Sequence, residues 1–143
     1  AEQLARENPC DALVDCEAGA FLAPESMSAA VREQAGELTD GQLLHCIYQS
    51  LAHCYKNALA AMGMRLGKRF ATLNIIGGGS QDSFLDELTA KAAGVTVLAG
   101  PKEATAIGNL LVQMIAAGEV KDVAEGRELV KRSFGVRTYE SKN

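Results

Sequence analysis

The chain has 143 residues, 48% of them hydrophobic and 22% charged, and a net charge of −4. It is long enough for one domain with a buried core, and an acidic balance without a basic run gives no electrostatic reason to bind nucleic acid or an anionic membrane. With 5% aromatic residues and no Trp, it lacks the stacking platform of single-strand binders, and no apolar run approaches the length of a bilayer span.

Residues 1–22 show weak periodicity and read as a connection entering from something upstream. The first stretch, "AEQLARENPCDALVDCE", has no basic region followed by an apolar one, so it is not read as a signal peptide, and a cytoplasmic address is the default. In that setting Cys10, Cys16, Cys46 and Cys54 are expected to be free thiols. "APES" is a turn, and "MSAAVREQA" suits a short helix capped by Ser26 or Ser28. The clearest element is "ELTDGQLLHCIYQSLAHCYKNALAAMGMRLG". Thr39 and Gln42 form a T-x-x-Q capping box, and Leu44, Ile47, Leu51, Tyr55, Ala58 and Met62 recur at helical spacing, predicting one buried face. A helix of roughly 24 residues is about 36 Å long and is expected to cross a whole sheet.

That helix carries His45, Cys46, His53 and Cys54, which resembles a list of zinc ligands. The step from His45 to His53 is about 12 Å of helical rise, whereas ligands of one zinc lie about 2.0–2.3 Å from it. No Pro or Gly breaks the helix between them, so these are read as ordinary helix residues.

"FATLNII", residues 70–76, predicts a strand. "SFLDELTAKAAG" predicts a helix with Phe84, Leu85, Leu88 and Ala92 inward, Asp86 and Glu87 on the solvated face, and Gly94 as its stop. "VTVLA" is a second strand and "GPKEAT" a turn. "ATAIGNLLVQMIAAG" is a helix expected to bury Ile107, Leu110, Leu111 and Met114. An amphipathic segment, "DVAEGRELVKRSF", precedes a polar tail. A strand, helix and strand so closely joined form a right-handed parallel unit. Two strands alone do not make a stable sheet, so the remaining strands are expected outside the chain.

The stretch "ATLNIIGGGSQDSF" carries most of the functional information. Walker A requires a Lys after its last glycine, and none follows. The dinucleotide fingerprint requires G-x-G-x-x-G and an acidic residue ending the next strand, which here ends "VLAGP". What remains is a strand, a glycine turn and a helix N-terminus with its partial positive charge. A tight turn needs one positive φ, and Gly77, Gly78 and Gly79 exceed that need. Bare peptide planes admit a flat or charged group, so an ordinary turn and a ligand cradle both stay open on these residues alone. In "AGPKEATAIGN", Ala104, Ala106 and Gly108 recur near a helix start, although Gly inside a helix costs about 1 kcal/mol. Close packing on a neighbour and clearance for a ligand both account for them. There is no G-x-S-x-G elbow, and neither His sits beside a nucleophile.

Taken together, "LNIIGGGSQDSFLDELTAKAAGVTVLAGPKEATAIGN", with "FLAPESM" and "LLHCIYQSLAHCYKNAL" upstream, resembles the C-terminal domain of the FGGY carbohydrate kinases. The resemblance implies an α/β fold, the C-terminal half of an actin-like, ribonuclease-H-like sugar kinase, with helices packed on a partial sheet. Residues 1–143 would be its ATP-binding domain. The partner N-terminal domain, with the catalytic Asp, the sugar site and a phosphate loop, would lie outside the chain, so no catalytic residue and no metal ligand is assigned here. The glycine turn would place Gly77, Gly78 and Gly79 against the nucleotide, with the "EATAIGN" helix lining the same pocket. Asp82 stands where the family usually has Asn. It would accept from an adenine amino group or ribose hydroxyl, or cap the helix. The implied reaction transfers the γ-phosphoryl group of ATP to a sugar hydroxyl, with Mg²⁺ held mainly by the nucleotide and the N-terminal domain. The chain alone is then expected to have no kinase activity, and a severed sheet to favour self-association. The rival from another class is a nucleotide-sensing or interaction module that lost the chemistry.

Overall fold

The computed structural model describes residues 1–141. Its helices are α1 (Glu2–Glu7), α2 (Met27–Ala35), α3 (Asp40–Leu66), α4 (Ser83–Ala93), α5 (Ala104–Ala116) and α6 (Val123–Ser133). Its strands are β1 (Thr72–Ile75), β2 (Thr96–Ala99) and β3 (Arg137–Tyr139), in the order β1-β2-β3. The architecture is mixed α/β. β1 and β2 run parallel with Thr72 opposite Thr96 and Ile75 opposite Ala99, and β3 joins antiparallel with Arg137 opposite Ala99. The third strand lies in the segment read as a polar tail. Three residues of "RTY" are too few for an alternation to show, and only the open edge of β2 makes them a strand.

Local chemistry starts the long helix where the sequence places it. Gln42 N donates to Thr39 Oγ1 at 3.3 Å and Thr39 N donates to Gln42 Oε1 at 3.1 Å, closing the capping box. α3 runs for 27 residues and ends at Gly67, with φ +61°. The predicted buried stripe is corrected. The buried positions are Leu43, His45, Cys46, Ser50 and Ala52, while Tyr55, Ala58 and Met62 are exposed. α3 packs against α1, α2 and α4, and these choose the face. The helix therefore does not cross the sheet, and Met64 near its far end is 80% exposed.

The opening residues also differ from expectation. Residues 2–7 are a helix whose Ala5 is fully buried, with its carbonyl 2.9 Å from His45 Nδ1. One small apolar contact is too little for a sequence period to reveal. In α2, Ser26 is the cap and accepts from Ala29 N at 3.3 Å. Val31 of α2 packs with Leu43 and Cys46 to form the local core, bordered by Cys10, Val14 and Phe21. All four cysteines are unpaired.

α4 packs on α3 and on β2 and β3. Phe84, Leu85, Thr89 and Ala90 are buried, as are Val97 and Ala99 of β2. Asp86, placed by its sequence on the solvated face, is 0% exposed. α5 buries none of its residues. Ile107, Leu111 and Met114 are half-covered and Leu110 is exposed, because α5 packs mainly against α6. Of the two accounts of Gly108, close packing does not hold there and is found at Gly126 instead. A Cβ on Gly108 would meet nothing within 4 Å, whereas one on Gly126 would stand 2.6 Å from a Leu111 methyl.

Candidate functional site

β1 delivers the chain to Ile76, and residues 77–81 then form a single 3-10 turn before α4 begins. Gly77 has φ +74°, a conformation that disfavours any side chain. Its N–H donates to Pro101 O at 3.2 Å, and Gly100 N donates to Ile75 O at 2.8 Å, so the exits of β1 and β2 hold one another. Gly78 and Gly79 are different. Neither has positive φ, and both are exposed. A Cβ on Gly78 would meet nothing within 4 Å, and one on Gly79 only an Ile75 methyl at 3.7 Å. Pro101 O takes the first N–H of the turn, which leaves the exposed Gly78 and Gly79 as its bare part.

The far end of the turn is fixed from inside. Ser80 is fully buried, and its Oγ donates to Gly77 O at 2.7 Å. Its carbonyl accepts from Arg137 Nη2. Asp82 caps α4 by accepting from Leu85 N at 3.2 Å through one oxygen and from Tyr48 Oη at 2.6 Å through the other. Burial first, then Asp82, pushes the Tyr48 phenol up to about 12, so Tyr48 remains a donor at neutral pH. Both Asp82 oxygens are thus engaged within the chain, which favours its capping role over ligand contact.

One turn into α4, Asp86 has no hydrogen-bond partner on either oxygen, and neighbouring Thr89 Oγ1 has none. Burial raises its pKa from 3.8 to about 6, against the pull of Arg137 and with smaller pushes from Asp82 and Glu87.

Two clefts adjoin the turn. One of about 710 Å³ is lined by Asn74, Ile76, Leu98, Pro101, Gly108 and Arg127 among others. The other, of about 330 Å³, shares Gly100 and Pro101 with it and reaches Gln81, Lys102, Phe134 and Arg137. The three glycines border neither cleft and stand beside them on open surface. Gly108 and Ala104 of the second motif line the larger cleft, so they leave room and are not packed.

The structure thus brings together the two glycine-containing segments, through Gly77 and Pro101, and adds Tyr48 and Arg137, which the sequence did not single out. Tyr48 is one more large residue on an apolar-rich helix, and Arg137 carries no local signal. Among the described residues no three His, Cys, Asp or Glu side chains are grouped to hold a metal ion. α3 is unbroken from His45 to Cys54.

A parallel β-α-β unit with a bare glycine turn at the start of its helix makes this an α/β domain with an open loop at the head of its sheet. Residues 3–117 match the FGGY family of carbohydrate kinases, C-terminal domain, and the chain belongs to that family. Within the family it is similar to rhamnulokinases. It is 38% identical to the rhamnulokinase of Bacillus subtilis over 149 aligned positions, covering 100% of this chain and 31% of that protein. It is 39% identical to that of Bacteroides thetaiotaomicron (92% of this chain, 28% of that protein). To that of Ligilactobacillus salivarius it is 46% identical (71% of this chain, 21% of that protein). The chain therefore spans about three tenths of the length of the first two relatives.

Proposed function

We propose that this chain is the ATP-binding C-terminal domain of a cytoplasmic carbohydrate kinase, one that converts ATP and L-rhamnulose to ADP and L-rhamnulose 1-phosphate. The observation that carries the reading is at Gly78 and Gly79. Their backbone conformation does not require glycine, and a side chain there would meet almost nothing of this chain. What a side chain would obstruct must come from outside, and bare peptide planes just ahead of the positive end of α4 suit the adenosine end of a nucleotide. Gly77, Gly78 and Gly79 would hold it. Asp82 would act by fixing the turn and the first N–H groups of α4, since its carboxylate is already shared by Tyr48 and Leu85.

The catalytic base, the sugar site and the remaining sheet partners would belong to the rest of the kinase, with which this chain would form an inter-domain groove. Mg²⁺ would be held there and by the nucleotide phosphates. Among the described residues no ligand set for it is grouped, with Asp82 engaged and Asp86 sealed inside. ATP as the donor, and four thiols left unpaired, suit a reducing cytoplasm. Bound nucleotide supplies the transferable phosphoryl group, and the task of these residues is to place it.

Calorimetry with ADP tests the reading. Gly78→Val is expected to weaken ADP binding by at least about ten-fold, or about 1.4 kcal/mol. It should leave thermal stability nearly unchanged, because its Cβ would enter open space. Unchanged affinity would remove the site. In a coupled ADP-release assay this chain alone should show no sugar-dependent turnover, and robust turnover would overturn the division of labour between domains.

A further inference from the structure

We infer that Arg137 is the positioning residue of the glycine turn. It holds the Ser80 carbonyl, and through it the turn that exposes Gly78 and Gly79. The consequence for nucleotide rests on the function proposed above, whereas the hold on the turn does not.

The turn is fixed at two points with two bare glycines between them. At its entry, Gly77 N donates to Pro101 O at 3.2 Å. At its exit, Arg137 donates to Ser80 O. Both fixed points hang from the end of β2, because Pro101 lies just beyond Ala99 and Arg137 is the cross-strand partner of Ala99. The bond from Ser80 Oγ to Gly77 O, at 2.7 Å, closes the turn on itself but does not tie it to the sheet. Arg137 supplies that tie. Without it, the turn would keep its entry at Gly77 and the bond from Asp82 N to Gly79 O at 3.2 Å, and glycines that have no side chains to pack would reorient more easily.

A buried carboxylate also lies within electrostatic reach of the guanidinium, without an ion pair or hydrogen bond between them. Asp86 follows the turn on α4, is fully buried and has no hydrogen-bond partner. Arg137 is the one charge acting on it that favours its carboxylate form. A planar fork can donate to a carbonyl while its delocalised charge faces a carboxylate. A Lys ammonium at the end of a flexible stem is a poorer fit to both tasks. Arg137 also lies beyond residue 117, where the family match ends. The segment that fixes the turn is therefore outside the segment that marks the family.

The test uses the whole chain as wild type, Arg137→Lys and Arg137→Met, with two readouts: ADP affinity by calorimetry, and amide exchange at residues 78–81 without nucleotide. Arg137→Met is expected to weaken ADP by about ten-fold and to speed exchange at the turn by a similar factor. Exchange at α3 amides, which reports global opening, should not change. Arg137→Lys is expected to fall between. If wild type binds ADP and Arg137→Met binds it equally well, the inference fails and the nucleotide reading stands. If wild type binds no ADP, the nucleotide reading fails, and turn exchange alone decides whether Arg137 holds the turn. Equal acceleration at α3 and at the turn would make Arg137 a general stabiliser and overturn the proposal. Should Arg137→Met fail to fold, Arg137→Gln, which keeps one donor, is read in the same two ways.

Discussion

Asp86→Asn is expected to stabilise the chain by about 2–3 kcal/mol at pH 8 and to change it little at pH 3.5. In the folded chain burial lifts the Asp86 carboxyl from 3.8 to about 6, and each pKa unit corresponds to about 1.4 kcal/mol. The sign follows from proton counting. Between those two values the folded state keeps a proton that the unfolded state has released, so stability falls as pH rises. Below about 3.8 both states are protonated and the penalty is absent, whereas above about 6 it is complete and constant. Asn is neutral throughout and has the shape of the protonated acid, so its advantage should appear across this window. Urea denaturation at pH 3.5, 5 and 8 measures it. An equal effect at all three values would show that Asp86 is not held protonated by its surroundings. An unpartnered buried carboxylate is a standing liability, and its nearest favourable charge, Arg137, is the residue that grips the glycine turn.

Phe84→Ala is expected to cost about 3–5 kcal/mol, a large share of the stability of a domain this size. Phe84 is 7% exposed and sits where three helices meet. The His45 ring centroid is 5.5 Å away, Tyr48 meets it edge-on at 5.2 Å, and the Arg6 guanidinium carbon lies 4.5 Å from its centre. Each such aromatic contact adds about 0.5–1.5 kcal/mol beyond area burial. Arg6 in turn bonds Glu2 of α1 and Glu87 of α4. Those ion pairs are half-exposed and contribute little alone, so the ring carries the junction. Phe84→Leu should recover most of the loss, to within about 1.5 kcal/mol. A chemical-denaturation midpoint that barely moves in Phe84→Ala would show that α1 and α4 are held elsewhere. Because Tyr48 both packs on Phe84 and donates to Asp82, the truncation should also loosen the start of α4 and raise amide exchange there.

Much of the local structure was legible because its causes are local. Thr39 and Gln42 close a capping box that needs no other part of the chain. Gly94 ends α4 with φ +66°, Ser26 caps α2, and the three glycines interrupt the apolar run of β1. The family resemblance was likewise legible, since it lies in two short motifs whose spacing is written in the sequence. Burial was less so. The apolar stripe on α3 turns away from its neighbours in its second half, and α5 shows apolar residues to solvent. Period marks the residues able to be covered, and only the elements present decide which are.

The sequence by itself determined where helices start and stop, that a strand runs into bare glycines at the head of a helix, and which kinase family those glycines belong to. Hydrogen bonds between near neighbours and the steric freedom of glycine act over a few residues. Only the tertiary structure decided that "RTY" would be a strand, that Asp86 would be sealed inside, and that Arg137 would reach Ser80. Those outcomes depend on β3 finding the open edge of β2, a pairing between residues about forty positions apart. No local pattern encodes such a distance, because closing that loop is favourable only once α4 and the sheet have formed the surface that receives it.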